Sequence, residues 1–528
     1  MPQNPSVDLQ NPISPAGVTA QVANPPAEVT RDASTSDPPL KPHKAHLRGF
    51  ITLSGAEEDE EDMRPRPVYA QQRGAFYEGL AAQGREIKSI VALHCGLPNP
   101  DLVHFSPMYD DTRLFWIHGS FNVCIPVTIE QPRRFTAVKL AFRVPLPYKV
   151  GEHHHPGNCE EKVRSEAATY IWINENCPDV QMRLYEALES LVLPVGMGYS
   201  LAETQMGCMA VLSKLLGRTG FCDYIPLARS TFMNHGYTLI DWIDNEEEQM
   251  LSNVFRAPHP EEQTQNLYRS MAKVIVSLAR VQQRRIGSWT ISNDGWLSLS
   301  NRPLFCHLQE LENLDIPSGV ARNTTYTSAD TLCLDLLDGH DNRLRYQGNA
   351  AFDETDARRQ AVDLVFMRST LSQFTDRSLR DGPFLMNLTD MHTSNIFVDK
   401  EWNVKHIIDL EWAYSLPLEH LLAPGWLTDR GIDQLTGLEY EKFEKHYRLL
   451  TAAIRQQEVD APIWYNGTTY SLAATMDRAL DKRHYWYLIG LQCPKGLFNL
   501  CRRQLHPLYD QVPKETLCAA VSPFRLRT

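Results

Sequence analysis

The chain has 528 residues, of which 43% are hydrophobic and 22% are charged, a composition typical of a soluble globular protein rather than of a fibrous or disordered one. Its 64 acidic residues outnumber the 52 basic ones and give a net charge of −12. Because no dense run of Lys or Arg is present, neither nucleic acid nor an anionic membrane is expected as a partner. No apolar run approaches the roughly 18 residues that a membrane-spanning helix requires.

The N-terminus and the cysteines indicate the cellular location. The first residues lack the charged and then apolar pattern of a secretory signal, and their acidic residues are atypical of a transit peptide. The 11 cysteines are scattered without paired spacing, which is typical of free thiols in a reducing compartment. We therefore expect a cytoplasmic protein.

Residues 1–68 differ in composition from the rest of the chain. Residues 1–42 are rich in Pro, Ser, Ala, Asn and Asp, so they cannot bury enough apolar surface to offset the loss of chain entropy on folding. An acidic block, EEDEED at residues 57–62, follows. We expect a disordered leader, either an interaction tail or a solvated segment without a specific role, and the composition favours the second.

Residues 75–240 are predicted to form a lobe built on a small sheet. Strand patterns cover residues 113–129, 135–144 and 237–243, and a helix with one apolar stripe and Glu166 near it covers residues 160–173. Gly119 and Ser120 interrupt the first strand pattern. These small residues form either a plain hairpin turn or a loop whose backbone amides cover phosphates.

Residues 241–528 are predicted to be mostly helical. Apolar residues at three- and four-residue steps predict helices over residues 267–281, 356–374, 439–455 and 473–491. Gly287 is expected to end the first of these helices. The sequence Asn-Asp-Gly at residues 293–295 lies between two strand patterns and predicts a hairpin.

A second hairpin is predicted over residues 396–408, where two apolar strand patterns flank a four-residue turn. Antiparallel pairing would set Asp399 opposite Val404 and Asn395 opposite Ile408. The open end of this hairpin would then gather the polar side chains that precede and follow it.

Three of these polar residues, Asp390, Asn395 and Asp409, offer the hard oxygen donors that a magnesium-bound polyphosphate requires. The spacing from Asp390 to Asn395 is that of the kinase catalytic loop, in which Asp accepts the proton of the acceptor hydroxyl and Asn holds a metal ion. Asp409 takes the place of the metal-binding Asp on the following strand. An ordinary surface hairpin with polar ends is the alternative, but the combined pattern favours a phosphotransferase.

The residues around this hairpin resemble a known family. The segments DMHTSN at 390–395 and IIDLEWA at 407–413 resemble the motif of aminoglycoside phosphotransferases and choline kinases. That motif is an Asp, an apolar residue, His, two residues and Asn, and later a hydrophobic pair, Asp, a variable residue and Glu. The resemblance extends from about residue 115 to about residue 430 and is greatest to fungal proteins with aminoglycoside-phosphotransferase-like domains.

The resemblance implies ATP and Mg²⁺ as cofactors, and a cation on the third strand that is paired with an acid of the next helix. From the residues alone Lys139 and Arg143 are both candidates for this cation, and the resemblance favours Arg143 paired with Glu166. The resemblance also implies a hinge from Asp241 to Ile243, whose backbone would pair with adenine. Without the resemblance, an edge strand fits this segment equally well.

One departure from the family lies directly before Asp390. The family usually carries His and one further residue there, whereas this chain carries Leu388 and Thr389. The chain therefore lacks a residue that normally braces the catalytic loop.

We predict an α+β, bilobal protein-kinase-like fold with a small antiparallel-sheet N-lobe and a mostly helical C-lobe. The predicted reaction is phosphoryl transfer from ATP to a hydroxyl or amine of a small-molecule acceptor, with Asp390 as the base and with Asn395 and Asp409 as metal ligands. A protein kinase is disfavoured, because His392 stands where protein kinases usually carry Lys and no Phe-Gly follows Asp409. A catalytically idle kinase fold that acts as a binding or regulatory module is the other alternative.

Overall fold

The structure, a computed structural model, describes residues 62–105, 115–130, 138–180, 235–243, 247–293, 295–459, 462–493 and 496–509. It also describes the backbone of five short strands outside these ranges: β1 (His43–His46), β2 (Gly49–Ile51), β7 (Leu191–Leu193), β8 (Met197–Leu201) and β9 (Tyr224–Ala228). β1 pairs with β2, and β7, β8 and β9 form an antiparallel sheet. Most of the predicted leader over residues 1–68 lies outside the described residues.

Two helices that the sequence analysis did not predict come first among the fully described residues. α1 (Arg66–Ala82) begins directly after Pro65, and α2 (Gly84–His94) follows it. Tyr77, Leu80 and Ile87 of these helices belong to the hydrophobic cluster that covers the following sheet. α1 thus begins before residue 75, where the sequence predicted the first lobe to start.

A five-stranded antiparallel sheet follows, with the order β10–β6–β5–β3 and with β4 beside β5. Its strands are β3 (Val103–Phe105), β4 (Ile117–His118), β5 (Asn122–Ile129), β6 (Val138–Pro145) and β10 (Thr238–Asp241). The three predicted strand patterns are confirmed: the first corresponds to β4 and β5 together, the second to β6 and the third to β10. Arg143 lies on the inner strand β6, between Cys124 of β5 and Thr238 of β10.

Helix α3 (Asn158–Asn176) confirms the predicted helix over residues 160–173. Gly157 precedes it with a φ of +97°, a backbone conformation that other residues rarely adopt, so glycine is favoured at this position. On the buried face of α3, Trp172 stacks on Trp289 with ring centroids 6.0 Å apart. The helix is thereby held against the elements that follow the sheet.

The elements of the next part are α4 (Glu261–Ala279), β12 (Ser288–Ile291), β13 (Leu297–Asn301), α5 (Cys306–Asn313), α6 (Ala329–Tyr346) and α7 (Glu354–Phe374). The predicted hairpin and the helices α4 and α7 are confirmed, whereas α5 and α6 were not predicted. The expected role of Gly287 was wrong, because α4 ends eight residues earlier, at Ala279. A Cβ on Gly287 would lie 2.7 Å from the carbonyl oxygen of Asn301, so glycine permits a close backbone approach there.

The second predicted hairpin is confirmed as β15 (Ile396–Val398) and β16 (Val404–Ile407). It is flanked along the chain by β14 (Phe384–Leu388) and β17 (Ala413–Pro417). β15 pairs with β16 and with β11 (Gln249–Met250), and β14 pairs with β17. The remaining elements are α8 (Gly437–Gln457), β18 (Ile463–Tyr465), β19 (Thr468–Tyr470), α9 (Leu472–Asp481), α10 (His484–Gln492) and α11 (Leu497–Leu500). The helix predicted over residues 473–491 is two helices, because Arg483 has a φ of +67° between them.

The architecture is a mixture of helices and small antiparallel sheets. One hydrophobic cluster lies on the five-stranded sheet, a large one lies among α4 to α11, and a third joins α3 to α4 and β16. Within the described ranges, none of the helices combines the length and the hydrophobicity that crossing a membrane requires.

Two buried histidines, each in contact with a residue of the large cluster, make stability depend on pH. Burial lowers the pKa of His340 to about 3 and that of His420 to about 4, well below the value of roughly 6.5 for an exposed histidine. At pH values between the lowered pKa and about 6.5, each of these histidines binds a proton in the unfolded chain but not in the folded chain. The free energy of unfolding should therefore fall as the pH falls from about 6.5 towards 4, by up to about 3 kcal/mol for each histidine.

Urea unfolding at pH 7 and at about pH 4.5 checks this prediction. His340→Gln retains a donor for the carbonyl of Leu491, which His340 Nε2 reaches at 3.0 Å, and should remove the share of the pH dependence that His340 contributes. The exposed His153→Gln is the matched control and should leave the pH dependence unchanged. An identical pH dependence in the parent and in His340→Gln would contradict the prediction.

Candidate active site

The loop between β14 and β15 carries Asp390 and ends in a single 3-10 turn, Thr393–Asn395. Asn395 Nδ2 donates a hydrogen bond to the carbonyl of Asp390 at 3.0 Å, so only the oxygen of this amide can act as a metal ligand. The backbone N–H of Ile408 donates to the carbonyl of Asn395 at 2.9 Å. The predicted pairing of Asn395 with Ile408 is therefore confirmed.

The other end of the hairpin differs from the prediction. A β-bulge between Phe397 and Val398 sets Val398, rather than Asp399, opposite Val404. Asp399 turns back instead, and its Oδ1 accepts a hydrogen bond from the backbone N–H of Asn403 at 2.8 Å. The predicted pairing of Asp399 with Val404 was wrong, because the extra residue of a bulge shifts the register on one side only.

The structure brings Asp390 and Asp409 to one recess. It contains about 190 Å³ of empty volume, part of it open to solvent. The recess is lined by Leu388, Thr389, Asp390, Met391, Ile407, Ile408, Asp409, Leu410, Trp412 and Ala413.

Arg143 joins the sheet, helix α3 and the hairpin. Its Nη1 contacts Glu166 Oε1 at 2.5 Å, and its Nη2 contacts Asp409 Oδ1 at 2.8 Å. Only 6% of the Arg143 side chain and 3% of the Glu166 side chain are exposed, whereas Asp409 is 26% exposed. Lys139, the other candidate, is exposed to solvent. The structure thus brings together Arg143, Glu166 and Asp409.

Asp409 has a φ of +63°, the left-handed conformation that Asp tolerates better than most residues. Burial raises the pKa of its carboxyl group, but the positive charges of Arg143 and Lys162 outweigh burial and hold the pKa below its usual value. The side chain is therefore an anion at the mouth of the recess, which is the state that a metal ligand requires.

The sequence analysis missed a second buried cation. Lys162 lies four residues before Glu166 on α3, so both side chains lie on the same face of the helix. Its Nζ contacts Oε2 of Glu411 and donates to Oδ1 of Asn122 at 2.7 Å, and Asn122 Nδ2 donates to the same Glu411 oxygen at 2.7 Å. The four-residue spacing and the Glu of the family motif would have pointed to Lys162 and Glu411, but neither would have shown that they meet.

The network contains more carboxyl groups than cations. Two cations, Arg143 and Lys162, face three carboxyl groups, those of Glu166, Asp409 and Glu411, and one oxygen of each lies within 4.8 Å of the others. Burial and the neighbouring charge of Asp409 raise the pKa of Glu411, against the effect of Lys162. A pKa of about 8 favours the protonated form of Glu411 near neutral pH, so the charges of Arg143 and Lys162 then balance those of Glu166 and Asp409. The carboxyl oxygens of this group are hard donors of the kind that a divalent cation such as Mg²⁺ prefers.

Gly119 and Ser120 form a tight turn between β4 and β5. The backbone N–H of Gly119 donates to the carbonyl of Asn122 at 2.8 Å, so this amide is used within the turn. The next residue, Phe121, packs edge-on against Trp412 with ring centroids 5.2 Å apart. The turn is thus anchored beside the recess, and the role of Gly119 and Ser120 at phosphates stays a prediction.

Asp241 and Ile243 lie where the chain leaves the five-stranded sheet. Asp241 pairs with Leu140 at the end of β10, and Ile243 comes two residues later. Residues 244–246 lie outside the described residues, and β11 then pairs with β15 of the hairpin. The segment therefore connects the sheet to the hairpin, and its role as an adenine-binding hinge stays a prediction.

Thr389 braces the loop that carries Asp390, although the chain departs from the family motif at this position. Its Oγ1 donates to the carbonyl of Trp412 at 2.5 Å, which ties the loop to the segment that carries Asp409 and Glu411. His392 Nδ1 accepts a hydrogen bond from the backbone N–H of Ser394 at 3.1 Å and fixes the turn after Asp390. The loop is therefore held at both ends by residues of this chain.

A comparison with models of protein families found no match, and a comparison with curated proteins found none either. Among solved structures, the chain is similar to a macrolide 2'-phosphotransferase type I, with 11% sequence identity and a TM-score of 0.32 over 85% of this chain and 98% of that chain. A likeness this weak does not establish a function for the chain.

The buried contact between Lys162 and Glu411 should contribute strongly to stability. Lys162→Met leaves Glu411 in the interior without its main cation, which typically costs about 3–5 kcal/mol. Lys162→Met combined with Glu411→Leu removes both charges and should recover much of this loss. The free energy of unfolding in urea measures both effects.

The exposed pair of Glu354 and Arg358 provides the control, since 78% and 72% of their side chains are exposed. Arg358→Met should cost less than about 1 kcal/mol. If Lys162→Met costs no more than Arg358→Met, the buried network does not have the energetic role assigned to it.

Proposed function

We propose that this protein transfers a phosphoryl group from Mg²⁺-bound ATP to a hydroxyl or amine of a small molecule, on a bilobal protein-kinase-like fold. The observation that carries the proposal is Arg143, which reaches Glu166 on one side and Asp409 on the other, at 2.5 and 2.8 Å. A strand cation paired with a helix acid, next to a metal-binding Asp, is the arrangement that kinases use to hold phosphates.

Asp390 is assigned as the base. It lines the same recess as Asp409, and its loop is fixed by Asn395 and Thr389. A carboxylate beside bound phosphates accepts the proton of an acceptor hydroxyl and orients the oxygen for attack. Positioning of this kind supplies most of the catalysis in phosphoryl transfer.

Asn395 and Asp409 are assigned as ligands of Mg²⁺, an ion that neutralises the phosphates when it is bound. The carboxylate of Asp409 and the amide oxygen of Asn395 are hard donors. They come from positions adjacent across the hairpin, since Asn395 pairs with the residue that precedes Asp409. The neighbouring Arg143 and Lys162 would offset part of the phosphate charge.

The acceptor is assigned to the small-molecule class because of the sequence around the loop. His392 occupies the position two residues after Asp390, and Leu410 and Glu411 follow Asp409 in place of Phe-Gly. Glu411 is itself buried in the ion network, so this position serves the site rather than an activation segment.

A catalytically idle binding module is the second candidate, and one observation favours it. Arg143 already contacts Asp409 Oδ1 at 2.8 Å, so a metal ion at Asp409 would have to share or displace this contact. An idle module would bind a nucleotide or another anion without turnover, and a turnover measurement separates the two candidates.

Asp390→Asn tests the assigned base. The substitution keeps the size of the side chain but removes its ability to accept a proton, and general-base assistance is typically worth about 10²–10⁴-fold in rate. A screen of hydroxyl- and amine-bearing metabolites with labelled ATP should first identify an acceptor. The rate of transfer to that acceptor should then fall by this factor in Asp390→Asn, while the affinity for Mg·ATP changes little.

The matched control is Asp315→Asn, since Asp315 is an exposed Asp on the surface. It should transfer phosphate at the parental rate. Equal rates in the parent and in Asp390→Asn would remove Asp390 from the assigned role, and binding of Mg·ATP without transfer to any acceptor would favour the idle module.

A further inference from the structure

A second group of potential metal ligands lies outside the candidate active site, where the C-terminal helices meet α7. Asp363, Cys501 and His506 each offer one ligand atom, and these three atoms lie within 4.8 Å of one another. Asp363 and Cys501 are buried, and His506 is half-buried. The group combines a carboxylate, a thiol and an imidazole, so it is not a surface cluster of acids.

A π-helical turn brings Cys501 and His506 together. Residues Cys501–Leu505 form this turn directly after α11, and the backbone N–H of His506 bonds to the carbonyl of Cys501. In an α-helix two residues five apart point roughly 140° away from each other. The hydrogen bond between residues five apart instead sets Cys501 and His506 one above the other. Such turns are frequent at functional sites.

The distances around Asp363 fit a metal ligand whose second oxygen is held by another protein group. Its Oδ1 lies 3.3 Å from His506 Nε2, and two ligands of a tetrahedral zinc ion with bonds near 2.1 Å lie roughly 3.4 Å apart. Its Oδ2 accepts a hydrogen bond from Arg502 Nε at 2.6 Å. Carboxylates that bind metal ions typically accept a hydrogen bond from a neighbouring protein group in this way.

We propose that Asp363, Cys501 and His506 bind a zinc ion, with water in the fourth position. A carboxylate, a thiolate and an imidazole are the donors that zinc prefers, and the soft thiolate disfavours Mg²⁺ and Ca²⁺. Binding forms a bond from zinc to Cys501 Sγ and releases the thiol proton to solvent. The charge of Arg502 offsets one of the two ligand anions.

The zinc ion would join the C-terminal helices to α7. Cys501 and His506 are contributed by the last described turns of the chain, and Asp363 lies near the middle of α7. A metal ion that binds the folded chain and not the unfolded chain stabilises the fold. The site is independent of the proposed phosphotransferase activity.

Cobalt(II) added to the metal-free, full-length protein tests the proposal, since it replaces zinc and reports on its ligands by absorption. One equivalent should give a thiolate-to-cobalt charge-transfer band together with the intense visible bands of a tetrahedral ion. Zinc should abolish these bands, and it should raise the melting temperature of the metal-free protein. A parent protein that shows no thiolate band and no zinc-dependent change in melting temperature would overturn the proposal.

Cys501→Ser and His506→Gln should each lose the thiolate band or weaken cobalt binding at least tenfold. Cys333→Ser is the control, because Cys333 Sγ also faces a histidine, with His420 Nε2 at 3.8 Å, but belongs to no such group among the described residues. It should keep the band. If Cys501→Ser keeps the band, or if Cys333→Ser is the variant that loses it, the ligand assignment is wrong. If Cys501→Ser does not fold, the cobalt spectrum and the zinc-dependent melting temperature of the parent protein test the proposal.

Discussion

The burial of the Arg143 guanidinium is the constraint on which the site depends. A charge with only 6% of its side chain exposed is tolerated only when it is paired, because removing it from water is costly. Glu166 of α3 and Asp409 after β16 provide the pairing from two other elements. The ion network therefore fixes the sheet, the helix and the hairpin relative to one another and places a charged Asp409 at the recess.

Helix α3 is held by ion pairs on two sides. On one side, Lys162 contacts Glu411 and Glu166 contacts Arg143. On the other side, the two carboxylate oxygens of Glu161 accept hydrogen bonds from Nε and Nη2 of Arg302, at 2.9 and 2.8 Å. Arg302 also contacts Glu312 of α5, and at most 5% of each of these three side chains is exposed. The helix that carries the partner of Arg143 is thus anchored to the elements after the sheet, which favours a preorganised site.

Local patterns made part of this structure predictable. The helix with Glu166 and the hairpin between Asn395 and Asp409 follow from hydrophobic spacing, and the pairing of Arg143 with Glu166 followed from the family resemblance. Helix α6 was missed although its buried residues have helical spacing. The bulge at Val398 was missed because one extra residue in a strand leaves no trace in the alternation of side chains.

Other features could not be predicted, because they depend on contacts between distant parts of the chain. Lys is almost never fully buried, so nothing local to Lys162 indicates that it pairs with Glu411, 249 residues away. The ion pairs of Arg302 with Glu161 and with Glu312 could not be predicted either, because they form only when α3 and α5 are packed in the folded chain. Sequence patterns specify elements, whereas the electrostatics of this site arise from their assembly.

The most direct test of the central claim is a calorimetric titration of ATP, with and without Mg²⁺, into the parent, Asp409→Asn and Asp315→Asn proteins. Both Asp residues have positive φ, +63° and +58°, so Asn is equally tolerated by the backbone at the two positions. The parent and Asp315→Asn should bind one ATP in a Mg²⁺-dependent manner, and Asp409→Asn should bind at least about tenfold more weakly, a loss of about 1.4 kcal/mol or more. Equal affinity in Asp409→Asn, or binding by the parent that is indifferent to Mg²⁺, would contradict the assignment of this site.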